Sequence, residues 1–171
     1  CFAEPHSDPA TLLVAWGAML TLTSARDSRA LAAEDFFLGM LETARWHDEI
    51  LTGIHVPLLL PDAVSTYECF KTHERPTATA AVMLRLAADE IVEARIVAGS
   101  VGPRPMRLPL AEEMLLGQRP VGALFASAAE RARDEVDVTE DAFESSDYKR
   151  HLVRVLTERA LMKAAERNGN G

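Results

Sequence analysis

The stretch AGSVGPRPMRLPLAEEML, Ala98 to Leu115, decides how this chain is read. An alternating apolar run, IVEARIVAG (91–99), leads into it, and a helical pattern, LPLAEEMLLG (108–117), leaves it. Strand, glycines, then helix is also the layout of a phosphate-cradling loop. The details argue otherwise. GSVG is not G-x-G-x-x-G, no Lys-Ser or Lys-Thr pair follows, and Pro103 and Pro105 have no N–H to offer a phosphate. The stretch is read as a turn: Gly99 and Gly102 permit the backbone bend, and the prolines fix its exit toward the helix.

Working upstream, TATAAVMLRLA (77–87) is a second strand and VSTYECFKT (64–72), rich in aromatic and β-branched residues, a third. The tip near Asp89 reads Ala-Asp-Glu without glycine, which leaves the turn type open. Downstream, Gly117 closes the helix at 108–117. PVGALFASAAERARDEV (120–136) sets Val121, Leu124, Phe125, Ala128 and Ala132 on one helical face. SSDYKRHLVRVLTERALMKAAER (145–167) is the longest helix, with Tyr148, Leu152, Val155 and Leu156 as its stripe. The acidic segment 137–147 between them lacks the D-x-D-x-D-G pattern of a calcium loop and is read as a solvated connection. The last residues, NGNG, are expected to fray.

Pro57 to Asp62 is the clearest boundary. Before it, HSDPATLLVAWG (6–17) reads as a helix with Asp8 as N-cap, Pro9 at the first helical position and Gly17 at the end. A hairpin turning at 25–28 follows, then a short helical turn carrying Phe36 and Phe37. DEILTGIHVP (48–57) is a strand with Ile50, Ile54 and Val56 in period-two register. The whole reads as α+β, in two units.

Composition narrows the function. The chain has 171 residues and a net charge of −8, so nucleic acid and anionic membranes are set aside as main partners. No apolar run approaches the roughly 20 residues of a membrane span; the densest, VPLLLP (56–61), is closed by prolines. The two cysteines, Cys1 and Cys69, form no metal motif and read as free thiols of a cytoplasmic protein, with a disulfide between them left open. None of the five histidines forms a metal-binding pattern. A Cys69–His73 nucleophile pair is disfavoured, because residues four apart on a strand lie too far apart to hydrogen-bond. Asp8 reads as a helix cap that could also meet a ligand. Lys71, ending a strand after Tyr67 and Phe70, reads as a solvated cation that could also face a cofactor ring. No self-contained catalytic constellation is present. A chain that opens on Cys-Phe is expected to be a fragment.

Five segments, in order, resemble one family: CFAEPHSDPATLL, AAEDFFLGMLETARWHDEILTGIHVP, YECFKTHERPTATAAVMLRL, ARIVAGSVGPRPMRLPLAEEMLLG and SSDYKRHLVRVLTERAL. Together they are similar to the FAD-binding medium subunits of molybdenum hydroxylases, the carbon monoxide dehydrogenase and xanthine dehydrogenase group. The resemblance implies that residues 1–58 are the end of a FAD-binding domain. It implies that residues 62–166 are a C-terminal domain with a three-stranded antiparallel sheet on helices, with a frayed tail at 167–171. It implies an oxidoreductase subunit passing electrons from iron–sulfur clusters through FAD to an external acceptor. The molybdenum cofactor and 2Fe-2S clusters would sit on partners, a molybdenum-binding large subunit and an iron–sulfur small subunit. Carried over by position, the flavin contacts are Asp8, Leu51 and Lys71, with Lys71 favouring the electron-rich form of the flavin ring. The family's glycine-rich flavin loops are expected before Cys1, so the chain alone is expected to be inactive. A flavin-free assembly module of the same fold is the alternative.

Overall fold

A computed structural model describes residues 3–72 and 74–168. The N-terminal unit contains α1 (Asp8–Ala15), β1 (Met19–Thr23), β2 (Ser28–Ala32), α2 (Ala33–Phe36), β3 (Phe37–Gly39), β4 (Glu42–Thr43) and β5 (Ile50–His55). Its main sheet is antiparallel, in the order β2-β1-β5. The second unit begins with β6 (Ala63–Lys71), β7 (Pro76–Ala87), β8 (Glu90–Gly99) and β9 (Met106–Arg107). These strands form one antiparallel sheet in chain order. α3 (Pro109–Glu113), α4 (Gly122–Glu135) and α5 (Ser146–Asn168) follow. The three expected long strands are present, and the two-residue β9 adds a fourth at the edge.

The central strand β7 is buried from Pro76 through Met83 and Leu84, because the sheet is covered on both faces. Ala78, Ala80, Val82 and Leu84 of β7, with Ala94, Ile96 and Ala98 of β8, face a core built with Phe125, Ala128 and Ala132 of α4 and Leu152, Leu156, Ala160 and Leu161 of α5. Ala81 and Val97 point the other way, into a second core with Ala10, Val14 and Ala15 of α1, Leu20 and Leu22 of β1, and Phe36. The period-two alternation of β7 and β8 thus feeds two cores at once. On α5 the buried stripe runs through Leu152, Val153, Leu156, Ala160, Leu161 and Ala164, while Tyr148 stays exposed. The helix continues through Asn168, so of the expected frayed tail only 169–171 lie outside the described residues.

Three sequence expectations change in detail, and the turn type left open at Asp89 is filled in. Ser7, not Asp8, holds the N-cap position; Asp8 is the first helical residue and makes no cap bond. Its carboxylate is engaged across the fold instead. The period-two reading of β5 is interrupted by a bulge: Leu22 pairs with Leu51 and Leu20 with Ile54, so Leu51 and Ile54 share a face. Ile50 is left exposed. The β7–β8 hairpin turns on Ala88 and Asp89 at φ +50° and +64°, two positive angles in succession as in a type I′ turn, adopted here without glycine.

The opening stretch is corrected most. It joins β8 to the antiparallel β9, and its left-handed residue is Ser100 at φ +66°, not a glycine. The glycines are required by close approach. A Cβ on Gly99 would lie 2.1 Å from Thr11 Oγ1 on α1 and 2.5 Å from Thr79 Oγ1; one on Gly102 would lie 2.8 Å from the Asp137 carbonyl oxygen. The turn is therefore a seat for α1 on one side and for the 137–145 connection on the other. Val101 O accepts a hydrogen bond from Thr139 N at 2.9 Å. Gly99→Ala should destabilise the chain by about 1–3 kcal/mol through overpacking, read as a lowered urea midpoint. An unchanged midpoint would contradict this seating of α1.

Candidate functional site

Strand β6 has two working faces. Thr66, Glu68 and Phe70 face α5: Thr66 Oγ1 donates to Ala160 O at 2.7 Å, Glu68 pairs with Lys163, and Phe70 meets Tyr148 edge-on. Ser65, Tyr67, Cys69 and Lys71 face the other way, toward α1. Trp16 Nε1, just past the C-terminal end of α1, donates to Ser65 Oγ at 2.9 Å. At its first turn, Asp8 Oδ1 accepts from the Tyr67 hydroxyl at 2.6 Å. The helix is tied to β6 at both ends.

The Tyr67 phenol is half-buried, and its pKa is pushed up first by that burial and then by the bond to Asp8. It stays a protonated donor over the whole physiological range. The Cys69 thiol, next on the row, is also pushed up, chiefly by burial, with Asp8 raising it further and Lys71 opposing. Asp8 meets this row at Tyr67, and Lys71 ends the same strand two residues after Cys69. Lys71 is exposed at the end of β6 and has no hydrogen-bonding or ionic partner among the described residues. The second carboxylate oxygen of Asp8 has none either.

Leu51 is half-buried and lines a cleft of about 310 Å³ with Leu20, Phe36, Phe37 and Ile54. Ser7 and Pro9, the neighbours of Asp8, line the same cleft. The structure thus brings Leu51 next to the first turn of α1, while Lys71 is not among the residues that line this cleft. A larger cavity, about 680 Å³, opens beyond Lys71 and is lined by Thr72, Arg75, His6, Ser100, Phe143 and Lys149 among others. The Lys149 ammonium is committed there to Thr139 O at 2.7 Å and Asp141 Oδ2 at 2.6 Å, and holds the Asp141 carboxyl down at about 2. The acidic connection is anchored rather than loosely solvated.

The entry to β5 is fixed by charge. Glu49, 4% exposed, receives Arg29 Nε at 2.7 Å and the Trp46 amide at 2.7 Å, while Arg29 stacks 4.3 Å over the Trp46 ring. The Arg29 guanidinium holds the Glu49 carboxyl at about 2, well below its ordinary 4.5. Tyr67 is the functional candidate that sequence reasoning passed over as an aromatic of a strand. Its position four before Lys71, and so on the same strand face, was the available signal. Cys1 and His73, named in the cysteine readings, lie outside the described residues; Cys69 is a free thiol. Among the described residues no cluster of three or more His, Cys, Asp or Glu could hold a metal ion, and no helix is long and apolar enough to cross a membrane.

Comparison with known proteins adds an independent line. Residues 67–164 match the family of the CO dehydrogenase flavoprotein C-terminal domain, and residues 1–59 match the FAD binding domain in molybdopterin dehydrogenase. Over 166 residues the chain is 31% identical to the glyceraldehyde dehydrogenase medium chain of Sulfolobus acidocaldarius, covering 95% of this chain and 58% of that protein. It is 32% identical over 171 residues to the caffeine dehydrogenase subunit beta of a Pseudomonas species, covering 98% and 58%. A carbon monoxide dehydrogenase structure from Hydrogenophaga pseudoflava superposes with a TM-score of 0.92 at 28% identity, over 97% of this chain and 58% of that one. The chain spans less than two thirds of the length of these relatives.

Because the Glu49 carboxyl is depressed on folding, its contribution to stability is present above pH 4.5 and is lost as the pH falls toward 2. The urea midpoint of the wild type should drop more across that window than that of Glu49→Gln. Parallel profiles would show that the Arg29–Glu49 pair does not hold the entry to β5.

Proposed function

We propose that this chain, which belongs to the family of the CO dehydrogenase flavoprotein C-terminal domain, is part of the FAD-carrying electron-transfer subunit of a molybdenum hydroxylase. Residues 1–58 are read as the end of the FAD-binding domain and 62–166 as the C-terminal domain. The observation that carries the reading is the 2.6 Å hydrogen bond from Tyr67 to Asp8, which ties the start of α1 in the first unit to the strand of the second unit that ends on Lys71. The working partners are a molybdenum-binding large subunit and an iron–sulfur small subunit carrying 2Fe-2S clusters, in the cytoplasm.

The residues present fit a flavin. Asp8 has a carboxylate oxygen to accept from FAD hydroxyl or amide groups, Leu51 gives an apolar wall, and Lys71 an exposed cation. When bound, FAD supplies the one- and two-electron chemistry that links iron–sulfur clusters to an external acceptor. Lys71 then acts electrostatically: a fixed positive charge favours the more negative, electron-rich form of a neighbouring ring. Asp8 orients rather than reacts.

The flavin-free assembly module is the competing reading. It draws on the exposed apolar residues Ile50, Ile54 and Leu58, at 67%, 50% and 96% exposure, which suit a surface covered by other protein. FAD titration followed by flavin fluorescence, on this chain and on the complete subunit, separates the two. Binding by the complete subunit supports the flavin reading; binding by neither supports the assembly module. In the loaded subunit, Lys71→Met should lower the flavin midpoint potential by on the order of 30 mV, a tenfold change in a two-electron equilibrium. An unchanged potential removes Lys71 from the ring's surroundings.

A further inference from the structure

The row Ser65, Tyr67, Cys69, Lys71 holds two ties to α1 that differ in kind. Trp16 to Ser65 joins two neutral groups and ends there, because Ser65 Oγ passes its own proton on to Val82 O at 3.1 Å. The bond from Tyr67 to Asp8 ends on a carboxylate with a second oxygen still to be used. Asp8 sits in the first turn of α1, where a carboxylate suits the helix dipole, but makes no cap bond to the helix backbone. Tyr67 is partly buried and packs against the core that contains Val14, Leu22 and Ala81. A rigid phenol on a strand is a better orienter of a carboxylate than a water or a flexible side chain.

We infer that Tyr67 is a positioning residue for the cofactor, its hydroxyl fixing Asp8 Oδ1 so that the second carboxylate oxygen is presented to the hydroxyl or amide groups of FAD. This rests on the flavin reading above and adds to it a residue that touches no cofactor itself. Burial keeps the phenol protonated, so the bond has one polarity: Tyr67 donates and Asp8 accepts. The groups that a carboxylate held in this way would meet on FAD are N–H and O–H donors, not carbonyls or phosphate oxygens. The pairing also joins the two units, because the strand that carries Lys71 is the strand that aims Asp8.

The test uses the complete subunit stripped of flavin and titrated with FAD, with dissociation constants and melting temperatures measured for Tyr67→Phe, Ser65→Ala, Asp8→Asn and the Tyr67→Phe/Asp8→Asn double variant. Ser65→Ala cuts the other tie of α1 and is the matched structural control. Tyr67→Phe should weaken FAD binding about tenfold, Ser65→Ala by less than about twofold, and the double variant should bind no worse than Asp8→Asn alone. The midpoint potential of bound FAD should stay at the wild-type value in Tyr67→Phe, because the Lys71 charge is untouched. Equal weakening by Tyr67→Phe and Ser65→Ala would reduce Tyr67 to a helix anchor and overturn the inference, as would additive losses in the double variant. If Asp8→Asn weakens binding and Tyr67→Phe does not, Tyr67 is overturned while the Asp8 contact stands. A wild-type subunit that takes up no FAD removes the flavin reading itself.

Discussion

Everything else in the structure depends on how closely α1 can lie on the sheet. The face of β7 and β8 opposite α4 and α5 would otherwise expose Ala81 and Val97 to water. Gly99 lets Thr11 approach to a distance no side chain at 99 would allow, and Thr79 fills in beside it. At the helix end, Gly17 makes similar room: a Cβ there would meet the Arg95 guanidinium at 2.4 Å, and its φ of +63° suits glycine. Once α1 is seated, its two ends fall within hydrogen-bonding reach of Ser65 and Tyr67. The helix belongs by chain order to the first unit and by packing to both.

That shared helix explains why the site has no single local origin. Asp8, Leu51 and Lys71 come from three elements far apart in sequence, and each is unremarkable alone. Leu51 and the first turn of α1 meet around one cleft only once the chain has folded. A second link across the units has the same character: Arg107, of β9, reaches Glu34 of α2 at 3.3 Å and the buried Glu112 of α3 at 2.5 Å, and Glu112 also accepts the Ile96 amide at 2.9 Å. A buried carboxylate is tolerated here because a guanidinium and a backbone N–H satisfy it together.

Much of the fold was legible in the residues. Alternation in 64–99 marked β6, β7 and β8, and the prolines at 57 and 61 marked the link between units. The stretch GSVGPRP, read as a turn, does turn β8 back onto β9. What the sequence hid was three-dimensional. The need for Gly99 and Gly102 lies in neighbours that are remote in the chain. The bulge in β5 moved Leu51 and Ile54 onto one face, and Gly53 beside it was the one local signal of a bulge, passed over in favour of the period-two pattern. Asp8 before Pro9 is as good a cap on paper as it is a partner for Tyr67; only the strand across from it decides. The flavin-contact residues were reached through family resemblance, because a lone Asp, Leu and Lys have no chemical signature in sequence.

The central claim is that a flavin meets this chain along the rim formed by the first turn of α1, the Leu51 region of β5 and the end of β6. Hydrogen–deuterium exchange of the complete subunit, with and without FAD, tests it most directly. The account predicts added protection concentrated at residues 7–11, 50–54 and 69–72, with α4 and α5 unchanged. Protection absent from those three segments, or confined to the helices on the far face of the sheet, would contradict it.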